Sequence, residues 1–295
     1  MNEIGLTVIA DDTCATSRAY LTYLANAGFR PHKALVVSFL GRSRKARLIA
    51  LAAGRRTAAA VLRTRSRFRT GGARKRQLYE MVQGGLPFKI DYAEAFDYGR
   101  HATEVEHLVA DDFADPRLQA RLTSEDCRTF LYTAGGLVPA SLLSRRDMRF
   151  IHVHPGVVPH VRGSDGLLWS LATRGVPGAS CFYMNTGIDT GEIIATKEFP
   201  RPMLSLDLSE RASFDVLYEA LLHAYDPHLR AQLLADVVAN AGGSDLHRLP
   251  AKIQPKDGGR VFFSMHEVLR NQVLSSLTDA AQTFDSTPPL ARGKG

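Results

Sequence analysis

The first forty residues restrict the fold more than any other stretch of the chain. Residues 4–10 form a short apolar run rich in β-branched side chains, and residues 34–39 (ALVVSF) form a second. Between them, residues 17–27 set Ala19, Leu21, Tyr23, Leu24 and Ala27 at broadly helical spacing, and Gly28 stands where a C-cap glycine belongs. In a strand–helix–strand unit the helix must cover one face of the sheet. This opening therefore predicts an α/β fold with a doubly wound, mostly parallel, Rossmann-like sheet.

The pattern is interrupted and then resumes. Residues 105–108 predict a short strand, 116–122 a helix, 128–133 (RTFLYT) a buried strand, 139–143 a short helix and 150–153 the next strand. Residues 180–184 and 193–199 read as a strand pair joined by a turn at 187–191. Residues 208–238 repeat apolar side chains every three or four positions, with Pro227 either kinking that helix or dividing it. Residues 261–263 predict one more short strand, suited to closing the sheet or to an interface, and 265–277 a last helix. The expected organisation is a catalytic domain over 1–205 with an insertion at about 41–78, a mainly helical extension over 206–278, and a flexible tail over 279–295.

The interruption is strongly basic. Residues 42–76 hold 13 of the chain's 37 Lys and Arg and no acid, so the remainder carries 24 Lys and Arg against 30 Asp and Glu. Such a segment suits nucleic acid, an acidic surface or a phosphorylated substrate. The plainer reading is a solvated, Arg-rich helical insertion, since residues 50–62 (ALAAGRRTAAAVL) are strongly helix-forming and no aromatic interleaving or zinc-finger spacing accompanies the charge.

Elsewhere the composition is that of a soluble globular protein, 45% hydrophobic and 23% charged. No apolar run approaches the roughly 20 residues that span a bilayer, and the N-terminus has an acid where a signal peptide carries positive charge. Cys14, Cys127 and Cys181 are odd in number and far apart, so neither a disulfide framework nor a metal knuckle is expected, and a reducing cytoplasm is.

Chemistry is concentrated in His152-Val153-His154-Pro155, at the end of a predicted strand. Alternate strand residues share a face, so the two imidazoles project side by side, and Pro155 ends the ladder. Ligands bind at the carboxyl ends of strands in open parallel sheets. Thirty-five residues on from His154, Asp189 lies on a turn bounded by Gly187 and Gly191. Such a turn suits a carboxylate held against one histidine, raising its pKa and fixing its tautomer. Two His and one Asp fit three roles: imidazoles bonded to backbone, an open metal site, or an acid–base group acting on a carbonyl. Spacing alone does not separate the last two.

The segment FIHVHPGVVPHVRGSDGLLWSLATRGVPGASCFYMNTGIDTGEIIATKEFP resembles the core of the folate-dependent formyltransferases, which include glycinamide ribonucleotide transformylase, methionyl-tRNA formyltransferase and the sugar N-formyltransferases. That family's pattern is a strand ending in Asn-x-His-Pro-Ser-Leu-Leu-Pro, a Gly-bounded loop, a helix often carrying Trp, then Gly-x-Thr and an Asp-x-Gly turn. The match runs through His154, Pro155, Pro159, Gly163, Trp169, Gly178, Asp189 and Gly191, and the preceding FLYTAGGLVPASLL resembles the family's folate-side loop. It covers residues 129–200, with a looser topological match back to residue 4. Three positions depart: His152 replaces the family Asn, Phe182 stands where a His is frequent, and Gly156-Val157-Val158 replaces Ser-Leu-Leu.

The resemblance implies a cytoplasmic transferase that moves a formyl group from a 10-formyltetrahydrofolate-like donor to an amine on a small acceptor, which the basic segment allows to be anionic. It implies His154 and Asp189 as the proton-handling pair and His152 as the group that polarises the carbonyl, in place of the Asn oxyanion donor. It implies that Ala134, Gly135, Gly136, Leu137 and Val138, with Gly187 and Ile188, flank the pterin. Two neighbouring imidazoles also depress one another's protonation. The helical character after residue 200 is of the wrong period for the appended tRNA-binding barrel of methionyl-tRNA formyltransferases, which argues against a tRNA substrate. A membrane partner is not expected, and the fold is compatible with an oligomer. His266 has no role in this reading. Two alternatives remain open: metal-assisted hydrolysis, or other acyl or carbamoyl-type chemistry, through the His-x-His pair; and a non-catalytic binding protein that uses the basic segment.

Overall fold

The computed structural model of the protein describes residues 1–11, 14–41, 43–68, 73–91, 94–133, 135–205, 211–255 and 258–278. Ala134, the start of the 208–238 helix and the 279–295 tail lie outside the described residues. The opening unit is strand β1 (Asn2–Asp11), helix α1 (Ala15–Asn26) and strand β2 (Phe29–Phe39), with Gly28 at a φ of 87° just beyond the helix. β1 and β2 pair in parallel. Helices α2 (Arg44–Ala53), α3 (Arg55–Phe68) and α4 (Ala73–Val82) follow, then β3 (Glu104–Ala110), α5 (Pro116–Thr123), β4 (Thr129–Tyr132), α6 (Ala140–Leu143) and β5 (Arg149–His154). Next come β6 (Val161–Gly163), α7 (Gly166–Arg174), β7 (Gly178–Tyr183), β8 (Ile193–Glu198), α8 (Arg211–Ala220), α9 (Asp226–Asn240), β9 (Arg260–Phe262) and α10 (Glu267–Ser275).

Seven strands form one sheet in the order β3-β2-β1-β4-β5-β7-β8. The first five are mutually parallel, and β7 and β8 extend the sheet antiparallel. Strand alternation feeds two cores. Leu6, Val8, Ala34, Val36, Leu131, Ile151 and Val153 pack on one face, under α1, α4, α7, α8 and α9. Ile9, Leu35, Val37, Phe130, Tyr132 and Phe150 pack on the other, against Leu118 and Leu122 of α5 and Leu142 of α6. The sheet is doubly wound, as the opening residues predict.

Four local expectations are corrected or sharpened. The basic 50–62 stretch is not one helix: Gly54, at a φ of 88°, ends α2 and starts α3, because a left-handed residue cannot continue a right-handed helix. The 261–263 strand does not close the main sheet; it pairs in parallel with β6 as a separate two-stranded sheet. Pro227 sits in the first turn of α9, and the turn before it, Leu221–Tyr225, is π-helical. Proline has no N–H and crowds the preceding turn, so the helical path widens there instead of stopping. β6 itself has no signal in the sequence pattern.

Candidate active site

His152 and His154 lie on the α5–α6 face of β5, two residues apart on one strand, with ring centroids 6.3 Å apart. Register builds the wall around them. Tyr132 of β4 and Phe182 of β7 are the direct neighbours of His152 across the sheet, and both meet its ring edge-on, at 5.2 and 5.5 Å. Phe182, one of the positions that departs from the family pattern, is thus a wall of the His152 pocket.

His154 lies opposite Ser180. The Ser180 hydroxyl donates to the Gly156 carbonyl at 2.6 Å and accepts from the Val158 N–H at 2.9 Å, which fixes the loop after the His-Pro pair. Sequence reasoning did not single out Ser180. The loop needs small residues: a Cβ on Gly156 or Gly166 would lie 3.0 or 3.1 Å from His154 Nε2.

Asp189 arrives from the opposite direction. β7 runs antiparallel to β5, so the chain leaves the sheet beside Phe150 and folds back along β5 to reach the histidines. The Asp189 Oδ2 atom lies 3.4 Å from His154 Nδ1 and accepts the Gly163 N–H at 2.8 Å. Asp189 itself has a φ of 51°, in the left-handed region that Asp tolerates better than most side chains. Within the turn, the Asn185 amide oxygen accepts from the Gly187 N–H and the Thr190 hydroxyl. Gly191 is obligatory, since a Cβ there would collide with the Tyr183 carbonyl. Nitrogen atoms of His152 and His154 and an oxygen of Asp189 all lie within 4.8 Å of one another.

A second clasp, absent from the sequence reading, holds this turn. Arg162 donates through Nε and Nη2 to the Gln254 amide oxygen at 3.1 and 2.6 Å. Gln254 Nε2 donates in turn to the carbonyls of Asp189 and Gly191 at 2.9 and 2.7 Å. Arg162 and Gln254 are both buried and 92 residues apart in the chain, so no local pattern links them.

The expectation that Asp189 raises a histidine's pKa is overturned by burial. Loss of solvent pushes both His152 and His154 down to about 3, helped at each by the nearby Arg230 guanidinium. Asp189 does oppose the shift at His152, and the second imidazole reinforces it. Arg230 reaches the site from α9, donating to Thr16 Oγ1 at 2.8 Å and pairing with buried Asp226 at 2.7 Å. Both imidazoles are therefore neutral at physiological pH. His152 Nδ1 and His154 Nε2 are buried without a hydrogen-bond partner.

Of the remaining positions, Gly135, Gly136, Leu137 and Val138 form the loop after β4, tied by the Tyr132 hydroxyl donating to the Gly136 carbonyl. Leu137 and Ile188 expose their side chains on the two loops, whereas Val138 is buried. Ala134 lies outside the described residues.

No protein-family model matches the chain. It is 35% identical over 71 residues to a methionyl-tRNA formyltransferase of Syntrophus aciditrophicus, covering 23% of this chain and 22% of that one. It is 29% identical over 107 residues to a methionyl-tRNA formyltransferase of Rickettsia massiliae, covering 36% and 32%. Among solved structures, a sugar N-formyltransferase from a Shewanella species aligns over 91% of this chain and 85% of its own, at 15% identity and a TM-score of 0.45. The chain spans between 22% and 36% of the length of the curated relatives it matches. Its sequence similarity is to methionyl-tRNA formyltransferases, over part of their length.

Proposed function

We propose that this protein is a transferase that moves a formyl group from a 10-formyltetrahydrofolate-like donor to an amine of a small acceptor. The observation that carries this reading is the convergence of His154, Asp189 and His152 at the carboxyl end of β5, with Asp189 Oδ2 at 3.4 Å from His154 Nδ1. The partial sequence kinship with formyltransferases supports the class of reaction.

The chemistry follows from the protonation states. When an amine attacks the formyl carbon, negative charge develops on the carbonyl oxygen and the nitrogen must lose a proton. Burial keeps His154 neutral, so it is able to accept that proton, and the adjacent Asp189 carboxylate stabilises the imidazolium that forms. His152 serves as carbonyl polariser in the tautomer that carries its proton on Nδ1, the atom that has no partner in the protein. The loop 134–138 and the turn at Gly187 and Ile188 flank the donor, where exposed Leu137 and Ile188 offer apolar cover to a pterin ring. Three free thiols accord with a cytoplasmic setting, and no helix among the described residues is long and apolar enough to cross a membrane. Thermal unfolding in the presence of 5-formyltetrahydrofolate tests the donor directly, since a ligand of the folded state raises its midpoint. An unchanged midpoint at saturating ligand removes the folate donor from the reading.

One observation favours a second reading. The 3.4 Å between His154 Nδ1 and Asp189 Oδ2 is long for a charge-assisted hydrogen bond, which spans about 2.7–2.9 Å. It matches the roughly 3.4 Å that separates two ligands each about 2.1 Å from a tetrahedral ion. With its proton on Nε2 instead, His152 presents a lone pair at Nδ1, and two neutral imidazoles with one carboxylate make an open metal site. Such an ion would lower the pKa of bound water, suiting the site to hydrolysis. Metal analysis of protein purified without added metal, followed by chelation, separates the two readings: stoichiometric zinc or iron with loss of activity on chelation selects the second.

A further inference from the structure

The basic insertion sets its charge beside apolar side chains that no other part of the fold covers. Ser43 caps α2, its hydroxyl accepting from the Ala46 N–H at 3.2 Å, and Gly54 ends the helix. One side of α2 packs inward: Ala46 is buried with Ala58 and Ala59 of α3, and Ile49 and Ala50 lie against them. The other side holds two leucines in water, Leu48 at 65% exposure and Leu51 at 85%. At 3.6 residues per turn these two stand about 60° apart around the helix axis, on one face. Arg44 falls between them, Arg47 lies about 40° beyond Leu51, and Lys45 about 60° beyond Leu48.

Charge of one sign surrounds the leucines. Arg44, Lys45 and Arg47 of α2 and Arg56 at the start of α3 are exposed. Among the described residues none of these four is paired with a carboxylate, and Arg47 donates to the Gly41 carbonyl. Arg55, by contrast, is held by Asp111 and Asp115 at 3.1 and 3.2 Å and belongs to the fold. The 42–76 stretch has no acid of its own, and the proposed reaction does not use its charge.

We propose that the outer face of α2 docks the protein on an anionic lipid bilayer. Leu48 and Leu51 enter the boundary between headgroups and acyl chains, and Arg44, Lys45, Arg47 and Arg56 meet the lipid anions. A helix that lies on a membrane combines apolar anchors with Lys and Arg. Long cationic side chains run their stems along the apolar zone and keep the charged head among the headgroups. Nucleic acid would engage the cations but leave both leucines in water, and residues 43–67 hold no aromatic side chain to stack on a base. An apolar partner would cover the leucines and desolvate the cations without pairing them. Charge complementarity therefore selects an anionic surface with an apolar interior. The sequence expectation of no membrane partner is revised in this respect only. No helix among the described residues is long and apolar enough to cross a bilayer, and surface association needs no such span.

Co-sedimentation of the full chain with vesicles of phosphatidylcholine alone, and of equimolar phosphatidylcholine and phosphatidylserine, tests the assignment. The expected result is saturable binding to the mixed vesicles, at least about tenfold stronger than to phosphatidylcholine alone and weakened by raised salt. Leu48→Ser combined with Leu51→Ser changes no charge and is expected to weaken binding at least about tenfold by removing the apolar anchors. Arg44→Glu combined with Lys45→Glu is expected to weaken it at least about as much. All four side chains are exposed, so both variants are expected to keep the parent's circular dichroism and melting midpoint. Leu51→Trp gives a second readout: its emission is expected to shift to the blue on mixed vesicles, with the parent protein as baseline. No binding to the mixed vesicles, or binding indifferent to the serine pair, would overturn the proposal. So would a concentration-dependent dimer that the serine pair abolishes in a protein that binds no vesicles, since that result assigns the face to a second copy of the chain.

Discussion

Gln254 holds the backbone on both sides of the Asp189 turn, its amide nitrogen donating to the carbonyls of Asp189 and Gly191 while its amide oxygen is gripped by Arg162. The Asp189 carboxylate is thus positioned by a residue that makes no hydrogen bond to either histidine. Gln254→Leu leaves two buried carbonyls and a buried guanidinium without these partners, each a cost of about 1–3 kcal/mol. The expected outcome is a folded protein with a lower denaturation midpoint and turnover down at least about tenfold. Gln254→Glu keeps the acceptor for Arg162 but loses the donors to the turn, so it is expected to recover stability more than turnover. Equal turnover in all three proteins would remove the positioning role.

Asp189→Asn tests the proton-handling pair. The amide oxygen still accepts from Gly163, so circular dichroism and the melting midpoint are expected to change little, while the loss of the negative charge beside His154 removes the stabilisation of its protonated form. Turnover is expected to fall by roughly 10²-fold, the lower range for general acid–base assistance. Full activity in the amide variant rules the assignment out.

His152→Asn separates the two readings of the site by restoring the residue of the formyltransferase pattern. Under formyl transfer, Asn supplies a carboxamide N–H to the developing oxyanion and turnover is expected to hold or rise. Under the metal reading, a ligand is lost and both bound metal and activity are expected to drop. Parallel metal content and rate measurements on the same preparation decide between them.

Acid sensitivity is a consequence of burial. His152 and His154 are pushed down to about 3 and His228 to about 4, while unfolded histidines titrate near 6.5. These depressed values mean that the unfolded state binds more protons as pH falls, so the stability is fully present above about 6.5 and is lost through the window down to about 4 for His228 and about 3 for His152 and His154. Each histidine that stays neutral contributes a slope of roughly 1.4 kcal/mol per pH unit within that window. Urea midpoints at pH 7.5, 6 and 5 are expected to fall in that order. A flat series would mean that the imidazoles are not held neutral in the folded state.

The parts of the site legible in the sequence were those that depend on local geometry. The period of two along β5 places His152 and His154 on one face, Pro155 ends the ladder, and the Gly-bounded turn marks Asp189. The doubly wound sheet was legible because apolar runs and the crossover helix follow in order. Three features were hidden. The Arg162–Gln254 clasp joins residues with no shared periodicity; Arg230 comes from a helix 76 residues beyond His154 whose apolar pattern disguises a buried ion pair. The direction of the histidine shifts depends on how completely the neighbours exclude water, and a carboxylate in the sequence says nothing about that. The break at Gly54 was readable in principle, since glycine at the end of a helical run is a stop signal, but the strong alanine content on both sides concealed it.

Joining β9 to β6 has a temporal consequence. The contacts that complete the site span long stretches of chain: 65 residues from Gln254 to Asp189 and 100 from Met265 to Asp165, at the start of α7. Closing such loops is slow compared with forming the local helices and hairpin. The clamp on the carboxylate turn is therefore expected to form later than the helices.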